Sequence, residues 1–217
     1  MQVLVTGATG LVGRLLCNRL GEAGAEVHAL VRRPSGRVDP HLHEHVVPPE
    51  DWAPLAERIG GDAAVSALGT TMRKAGSRVG FRAVDHDLVL ACAGAARRAG
   101  VSHFLAISSV GADAGSSNFY LRTKGEMEEG LRAFGFSRLD IFRPGLLLGE
   151  RGSDRRIGER IGIALSPLTN RVLRGPLDRF AAIPAAVVAD AMAAAIRRGG
   201  AGTSVHENRA IRDLARL

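Results

Sequence analysis

Apolar runs alternate with segments of helical spacing along the whole chain. The runs are short, and the first, Gln2 to Thr6, is rich in β-branched residues, which is typical of buried strands. Between them, apolar residues recur at helical spacing, as in the pairs Leu11 and Leu15, and Leu16 and Leu20, each four positions apart, which is typical of amphipathic helices. This alternation predicts βαβ units and a parallel sheet. The predicted strands span 2–6, 26–31, 45–47, 63–68, 103–108 and 138–142.

Helices are predicted between these strands, and Asp51 and Asn118 are suited to cap two of them. They span about 11–20, 51–59, 79–99, 118–133, 153–165 and 184–198, and a short strand and helix follow. No internal repeat or linker divides the 217 residues, a length that suffices for one buried core. We therefore predict one α/β domain over 1–217, a doubly wound Rossmann-type fold with a mostly parallel sheet. Residues 145–217 are predicted to build most of a small substrate-covering region.

Composition is that of a globular protein, with 46% hydrophobic and 24% charged residues. No uncharged apolar stretch reaches the ~18 residues of a transmembrane helix. The first residues lack the basic region of a signal peptide. Cys17 and Cys92 fall within apolar helical patterns, which predicts buried thiols in a reducing compartment and no disulfide. These features predict a cytoplasmic protein without membrane association.

The net charge of +7 and the pI of about 10.8 raise nucleic acid as a partner. However, the basic residues are spread along the chain, with pairs such as Arg97–Arg98 at predicted helix ends, where cations complement the helix dipole. Aromatic residues make up only 4% of the chain, so few side chains could stack on bases. We therefore disfavour nucleic acid as the main partner.

Three glycines provide the clearest local motif. Gly7, Gly10 and Gly13 lie between the first predicted strand and the first predicted helix, in the spacing Gly-x-x-Gly-x-x-Gly. The first allows a tight turn, the second lets the backbone approach a pyrophosphate, and the third lets the helix pack close with its N-terminus toward the phosphates. Glycines also serve ordinary strand–helix turns, but the βαβ context favours dinucleotide binding.

The end of the second strand distinguishes NADP from NAD. An acidic residue there would bind the ribose 2′-hydroxyl, whereas arginine accommodates a 2′-phosphate. This chain has Arg32 and Arg33 and no nearby carboxylate. Guanidinium groups suit a phosphate in bidentate geometry, so NADP is favoured. The alternative is a pair of solvated arginines in an arginine-rich protein.

Tyr120 and Lys124 lie four residues apart on a predicted helix and therefore share one face. A phenol with a free pKa of about 10 shuttles protons poorly at neutral pH, and a neighbouring ammonium lowers that pKa. The pair can thus serve as a general acid or base. Tyr120 is the sole tyrosine, and Lys124 is one of two lysines among 29 basic residues. The alternative is an ordinary surface pair.

Ser108 and Ser109 end the fifth predicted strand, at the carboxyl edge where ligands bind in such folds. A hydroxyl there could hydrogen-bond a substrate carbonyl and its developing oxyanion. Serines are also common where strands stop, so turn formation is the alternative. We predict that one of the two is catalytic and prefer Ser109.

With these elements together, the chain resembles an atypical short-chain dehydrogenase/reductase, and within that superfamily it is similar to the Tat-interacting-protein oxidoreductase group. The similarity covers nearly the whole chain. The further segments that carry it are Leu68-Gly69-Thr70-Thr71, Lys74-Ala75-Gly76, Gly111-Ala112-Asp113, Ser116-Ser117-Asn118-Phe119-Tyr120, Lys124-Gly125-Glu126, Phe142-Arg143-Pro144-Gly145 and Glu207-Asn208. The resemblance implies NADP contacts at Thr9, Gly10, Leu11, Val12, Arg32, Arg33, Leu68, Gly69, Tyr120 and Lys124, with Leu147 and Arg155 lining the nicotinamide side.

Three functions remain open at this point. The first is an NADPH-dependent enzyme that reduces a carbonyl or oxidises an alcohol. The second is a regulatory NADPH-binding protein that acts through a protein partner, because members of the resembled group are also described as regulatory. An isomerase or dehydratase that uses bound cofactor is the third. A sensor would not need an intact Ser/Tyr/Lys set, so the sequence favours the oxidoreductase.

Overall fold

A parallel sheet forms the centre of the computed structural model, which describes residues 1–149 and 175–217. Its seven described strands are β1 Gln2–Thr6, β2 Glu26–Val31, β3 Leu42–Val46, β4 Ala63–Ser66, β5 His103–Ile107, β6 Arg138–Arg143 and β9 Gly202–Glu207. Their order across the sheet is β3-β2-β1-β4-β5-β6-β9, and every pairing is parallel. The short strands β7 Leu147–Leu148 and β8 Ile183–Pro184 pair separately. The predicted doubly wound fold is confirmed.

Helices connect these strands. The described ones are α1 Leu11–Glu22, α2 Trp52–Ile59, α3 Met72–Ala75, α4 Arg78–Arg82, α5 Leu88–Arg98, α6 Phe119–Ala133, α7 Ala185–Arg198 and α8 Asn208–Leu214. A π-helical turn, Ala83–Asp87, joins α4 to α5. Single 3-10 segments occupy Pro49–Asp51 and Gly175–Phe180. The long helix predicted over 79–99 is therefore present with one widened turn.

Alternate residues of each strand supply two cores, one on each face of the sheet. Val3 and Val5 of β1 pack with α1 and α7, whereas Leu4 packs with α2, α5 and α6. β1 lies between β2 and β4, so the chain leaves β1 on one side of the sheet and returns on the other. The carboxyl ends of β1 and β4 therefore border the crevice in which such folds bind ligands.

The third strand is longer than its sequence pattern predicted. It covers Leu42–Val46 rather than 45–47, because backbone pairing with β2 also holds the polar residues His43 and Glu44 in the strand. His41 and His43 both contact the Glu26 carboxylate of β2, at 3.0 and 2.6 Å. An edge strand of this kind lacks the continuous apolar run that marks a buried strand.

Much of the described part of 145–217 belongs to the main layers and not to a separate cover. Helix α7 packs on α1, and β9 completes the sheet beside β6. Buried Asn208 ties this part together, since it accepts a hydrogen bond from Gly145 N and donates to the carbonyls of Asp178 and Ala181. Segments β7, β8 and 175–180 are thus the described candidates for covering a substrate. The helix predicted at 153–165 lies outside the described residues.

Candidate cofactor and catalytic site

The glycine-rich turn follows β1 and opens α1 at the predicted crevice. Gly7 has φ of +79°, and a Cβ there would lie 2.5 Å from the backbone of Ala67, the residue after β4. A Cβ on Gly13 would lie 2.2 Å from the Gly7 carbonyl oxygen, so only glycine lets α1 approach the turn this closely. Gly10 precedes the helix with extended backbone and an exposed surface. The turn can therefore present backbone N–H groups to phosphates.

Two neighbouring segments border this turn. A Cβ on Gly7 would lie 2.7 Å from Leu68 N, which places the Leu68–Gly69 segment against the turn. Leu11 contacts Gly149, where a Cβ would come within 2.8 Å of the leucine methyl group, and Leu147 packs on the same core as Leu11. Arg155, the other residue assigned to the nicotinamide side, lies outside the described residues.

Arg32 and Arg33 follow the end of β2 and are both exposed. Within 1–149 and 175–217, neither guanidinium has an ion-pair or hydrogen-bond partner. Two cationic groups, which no anion of the described residues contacts, therefore lie beyond the strand next to the glycine-rich turn. This arrangement suits a phosphate ligand.

Tyr120 lies in the first turn of α6. The side chain of Asn118 caps this helix by accepting hydrogen bonds from Tyr120 N and Leu121 N at 2.9 and 3.2 Å. The Tyr120 ring contacts Phe81 with centroids 5.5 Å apart, and the residue keeps 37% of its surface exposed. The ring is thus fixed on one side while the residue remains accessible from solvent.

Lys124 is only 3% exposed, in contrast to Tyr120 one turn earlier. Its ammonium lies 2.8 Å from a carboxylate oxygen of Asp85 and donates to the Ile107 carbonyl at 3.3 Å. Gly125 allows this burial, because a Cβ there would lie 2.1 Å from the backbone nitrogen of Ala114. The lysine therefore reaches the end of β5, two residues before Ser109.

The two serines after β5 have different surroundings. Ser108 is 4% exposed and donates a 2.6 Å hydrogen bond to Glu128, which is fully buried. Arg143 donates two hydrogen bonds to the same carboxylate, at 2.8 and 2.6 Å, and these raise the pKa of its guanidinium. Ser109 is half-buried, and its hydroxyl has one long contact, 3.4 Å, to the carbonyl of Val110. The Ser108 hydroxyl is thus occupied by the buried carboxylate of Glu128, whereas the Ser109 hydroxyl is available to a ligand.

Asp85 and Glu128 are the two site residues that the sequence analysis missed. Asp85 interrupts an apolar stripe at helical spacing, between buried Phe81 and Val89. Glu128 continues the face that Tyr120 and Lys124 begin, one turn further along α6. A carboxylate on the buried face of a helix requires a partner, so each position carried a signal in the sequence.

Comparison with known proteins identifies the family. A family profile described as NAD(P)H-binding matches residues 7–198. "Protein FMP52-1, mitochondrial" of Scheffersomyces stipitis is 35% identical over 173 residues, covering 76% of this chain and 75% of that protein. Protein HTATIP2 of Rattus norvegicus is 37% identical over 161 residues, covering 70% and 65%. The solved structure of human epimerase family protein SDR39U1 with NADPH superimposes with a TM-score of 0.67 at 19% identity, covering 95% and 74%.

The chain therefore belongs to the NAD(P)H-binding family, as an atypical short-chain dehydrogenase/reductase. The resemblance stated from the sequence is confirmed, and so is a nicotinamide dinucleotide as cofactor, at the level of NAD(P)H. The glycine turn that a Cβ would fill, the exposed arginines after β2 and the buried lysine fit such a group. The fold is oxidoreductase-like.

One sequence-based prediction is wrong. We predicted a cytoplasmic protein, but the similar fungal FMP52 proteins are named mitochondrial, which points away from that location. That prediction rested largely on two cysteines in apolar helical patterns, and a buried, inert thiol does not by itself identify a compartment. Cys17 and Cys92 are indeed buried and free, and burial raises their pKa values to about 11 and about 12. Every helix in the described ranges is too short or too polar to span a bilayer.

Proposed function

We propose that this chain is an NADPH-dependent oxidoreductase that reduces a carbonyl compound or oxidises the corresponding alcohol. Tyr120 carries the proposal. It is the sole tyrosine of the chain, it keeps 37% of its surface exposed, and it lies one helical turn before a buried lysine at the carboxyl edge of the sheet. Such a phenol is placed to exchange a proton with a bound ligand.

Each residue of the set has a distinct role. Tyr120 donates the proton to the carbonyl oxygen as the C–O double bond is reduced, and it accepts that proton in the reverse direction. Ser109 hydrogen-bonds the same oxygen. Lys124 supports the phenol and hydrogen-bonds the nicotinamide ribose. The cofactor, when bound, supplies or accepts the hydride. The glycine turn holds the pyrophosphate, and Arg32 and Arg33 favour NADP over NAD.

The test begins with a panel of aldehydes and ketones, each incubated with NADPH and followed by its absorbance. For any turned-over compound, we expect Tyr120→Phe to lower kcat by about 10²–10⁴ while NADPH affinity is retained, because the ring packing against Phe81 is kept. Lys124→Arg should also be damaging, since a guanidinium cannot replace a compact ammonium. Ser117→Ala, which removes an exposed hydroxyl three residues earlier, is the matched control and should leave kcat unchanged.

Full activity in Tyr120→Phe would refute the assignment of the proton donor. Tight NADPH binding without turnover of any compound would instead favour the regulatory protein that acts through a partner. The two outcomes are separable because cofactor affinity and turnover are measured on the same preparations.

A further inference from the structure

Asp85 joins two parts of the candidate site. It is 1% exposed and uses both carboxylate oxygens. One lies 2.8 Å from the ammonium of Lys124 on α6, and the other accepts a 2.8 Å hydrogen bond from the backbone nitrogen of Thr70. Thr70 directly follows Leu68 and Gly69, the segment that borders the glycine-rich turn. A single carboxylate therefore connects the lysine helix to the cofactor-side loop after β4.

The backbone around Asp85 is built for this contact. Asp85 is the central residue of the π-helical turn between α4 and α5. Such turns occur frequently at functional sites. On either side the helical run packs closely on α6, with Phe81 against Tyr120 and Leu90 against Gly130, where a Cβ would lie 2.6 Å from the leucine methyl group. The contact with Lys124 thus lies between two anchored ends.

Among the residues that the structure describes, the ammonium of Lys124 has acceptors for two of its three N–H groups, which leaves one for a ligand. Of its three donors, one is directed to Asp85 and one to the Ile107 carbonyl, and the described residues supply no third acceptor. Lys124 is only 3% exposed, and a buried charge requires a hydrogen-bonding partner. Asp85 meets that requirement and also sets the direction of the remaining N–H.

We propose that Asp85 is a positioning residue of the NAD(P)H site. It holds the Lys124 ammonium in place toward the bound ribose. Through Thr70, it also fixes the position of the Leu68–Thr70 segment relative to α6. The inference rests on the proposed function in that Lys124 contacts the cofactor. Its readout is NADPH affinity, so it does not depend on finding a substrate.

A double-mutant cycle with Asp85→Asn, Lys124→Met and the double variant tests this role. Losing a charge-assisted hydrogen bond typically weakens affinity by about ten- to a hundredfold, and we expect each single variant to lose that much for NADPH in calorimetry. Asp85→Asn keeps one oxygen that can accept from Thr70 N, so it alters only the contact with Lys124, and the double variant should bind no more weakly than Lys124→Met. Asp87→Asn removes an exposed carboxylate from the same turn and should stay within about twofold of the unmodified protein.

The outcomes separate the two ideas. Multiplied losses in the double variant, or unchanged affinity in Asp85→Asn, would overturn the positioning role alone. Unchanged affinity in Lys124→Met would overturn the lysine's proposed cofactor contact and the inference with it. Thermal unfolding of each variant monitors folding. If Asp85→Asn does not fold, the NADPH affinity of the double variant, which carries neither buried charge, is compared with that of Lys124→Met. Equal affinity supports the positioning role. A further loss of affinity overturns it.

Discussion

The adjacent serines after β5 should respond oppositely to removal of their hydroxyls. Ser108→Ala deletes a buried 2.6 Å hydrogen bond to Glu128, while Arg143 continues to pair with that carboxylate. A hydrogen bond to a charged group contributes about 1.5–3 kcal/mol to the free energy of unfolding. For a chain of this size, we expect Tm to fall by roughly 3–12 °C. Turnover should change little, because this hydroxyl faces the ion pair and not a ligand.

Ser109→Ala should show the reverse pattern. Its hydroxyl has only the 3.4 Å contact with the Val110 carbonyl to lose, so Tm should stay within about 1–2 °C. If the hydroxyl stabilises the substrate oxygen, kcat should fall by about 10²–10³.

The assay measures thermal unfolding and NADPH consumption on the same preparations. Ser102→Ala, which removes an exposed hydroxyl just before β5, is the control and should leave both quantities unchanged. Loss of turnover in Ser108→Ala at unchanged Tm, together with normal turnover in Ser109→Ala, would refute the reasoning.

Two further predictions concern the cofactor and the sheet. Replacing both Arg32 and Arg33 by alanine should weaken NADPH binding by about ten- to more than a hundredfold in calorimetry. NADH binding should be unchanged, since only NADPH carries the 2′-phosphate. Equal affinity of the unmodified protein for both cofactors would contradict the NADP assignment. Burial alone would raise the pKa of Asp140, but hydrogen bonds from His103, His206 and Arg138 outweigh it and hold that pKa below its usual range. This stabilisation is present above the unfolded-state pKa of about 4 and is lost as the pH falls below that value. In urea unfolding between about pH 5 and pH 3, the unmodified protein should therefore lose stability more steeply than Asp140→Asn. Equal slopes of stability against pH for the two proteins would contradict this role of Asp140.

The fold and the local motifs could be predicted from the sequence because they depend on short-range rules. The period of apolar residues distinguishes strand from helix, and alternation of the two implies a parallel sheet. The glycine turn depends on backbone freedom within a few residues, as the φ of +79° at Gly7 illustrates. The shared face of Tyr120 and Lys124 follows from the pitch of one helix.

Only the tertiary structure decided how these parts are completed. The partner of Lys124 is Asp85, 39 positions earlier in the numbering, and its contact depends on how closely α6 packs against the helical run from α4 to α5. Likewise, Ser108 and Ser109 are identical in type and adjacent in sequence, yet Glu128 engages only the first. Sequence spacing sets the direction of side chains within one element, whereas the packing of elements sets which charges meet. Burial makes these contacts necessary, because a charge that is removed from water requires an oppositely charged or hydrogen-bonding group beside it.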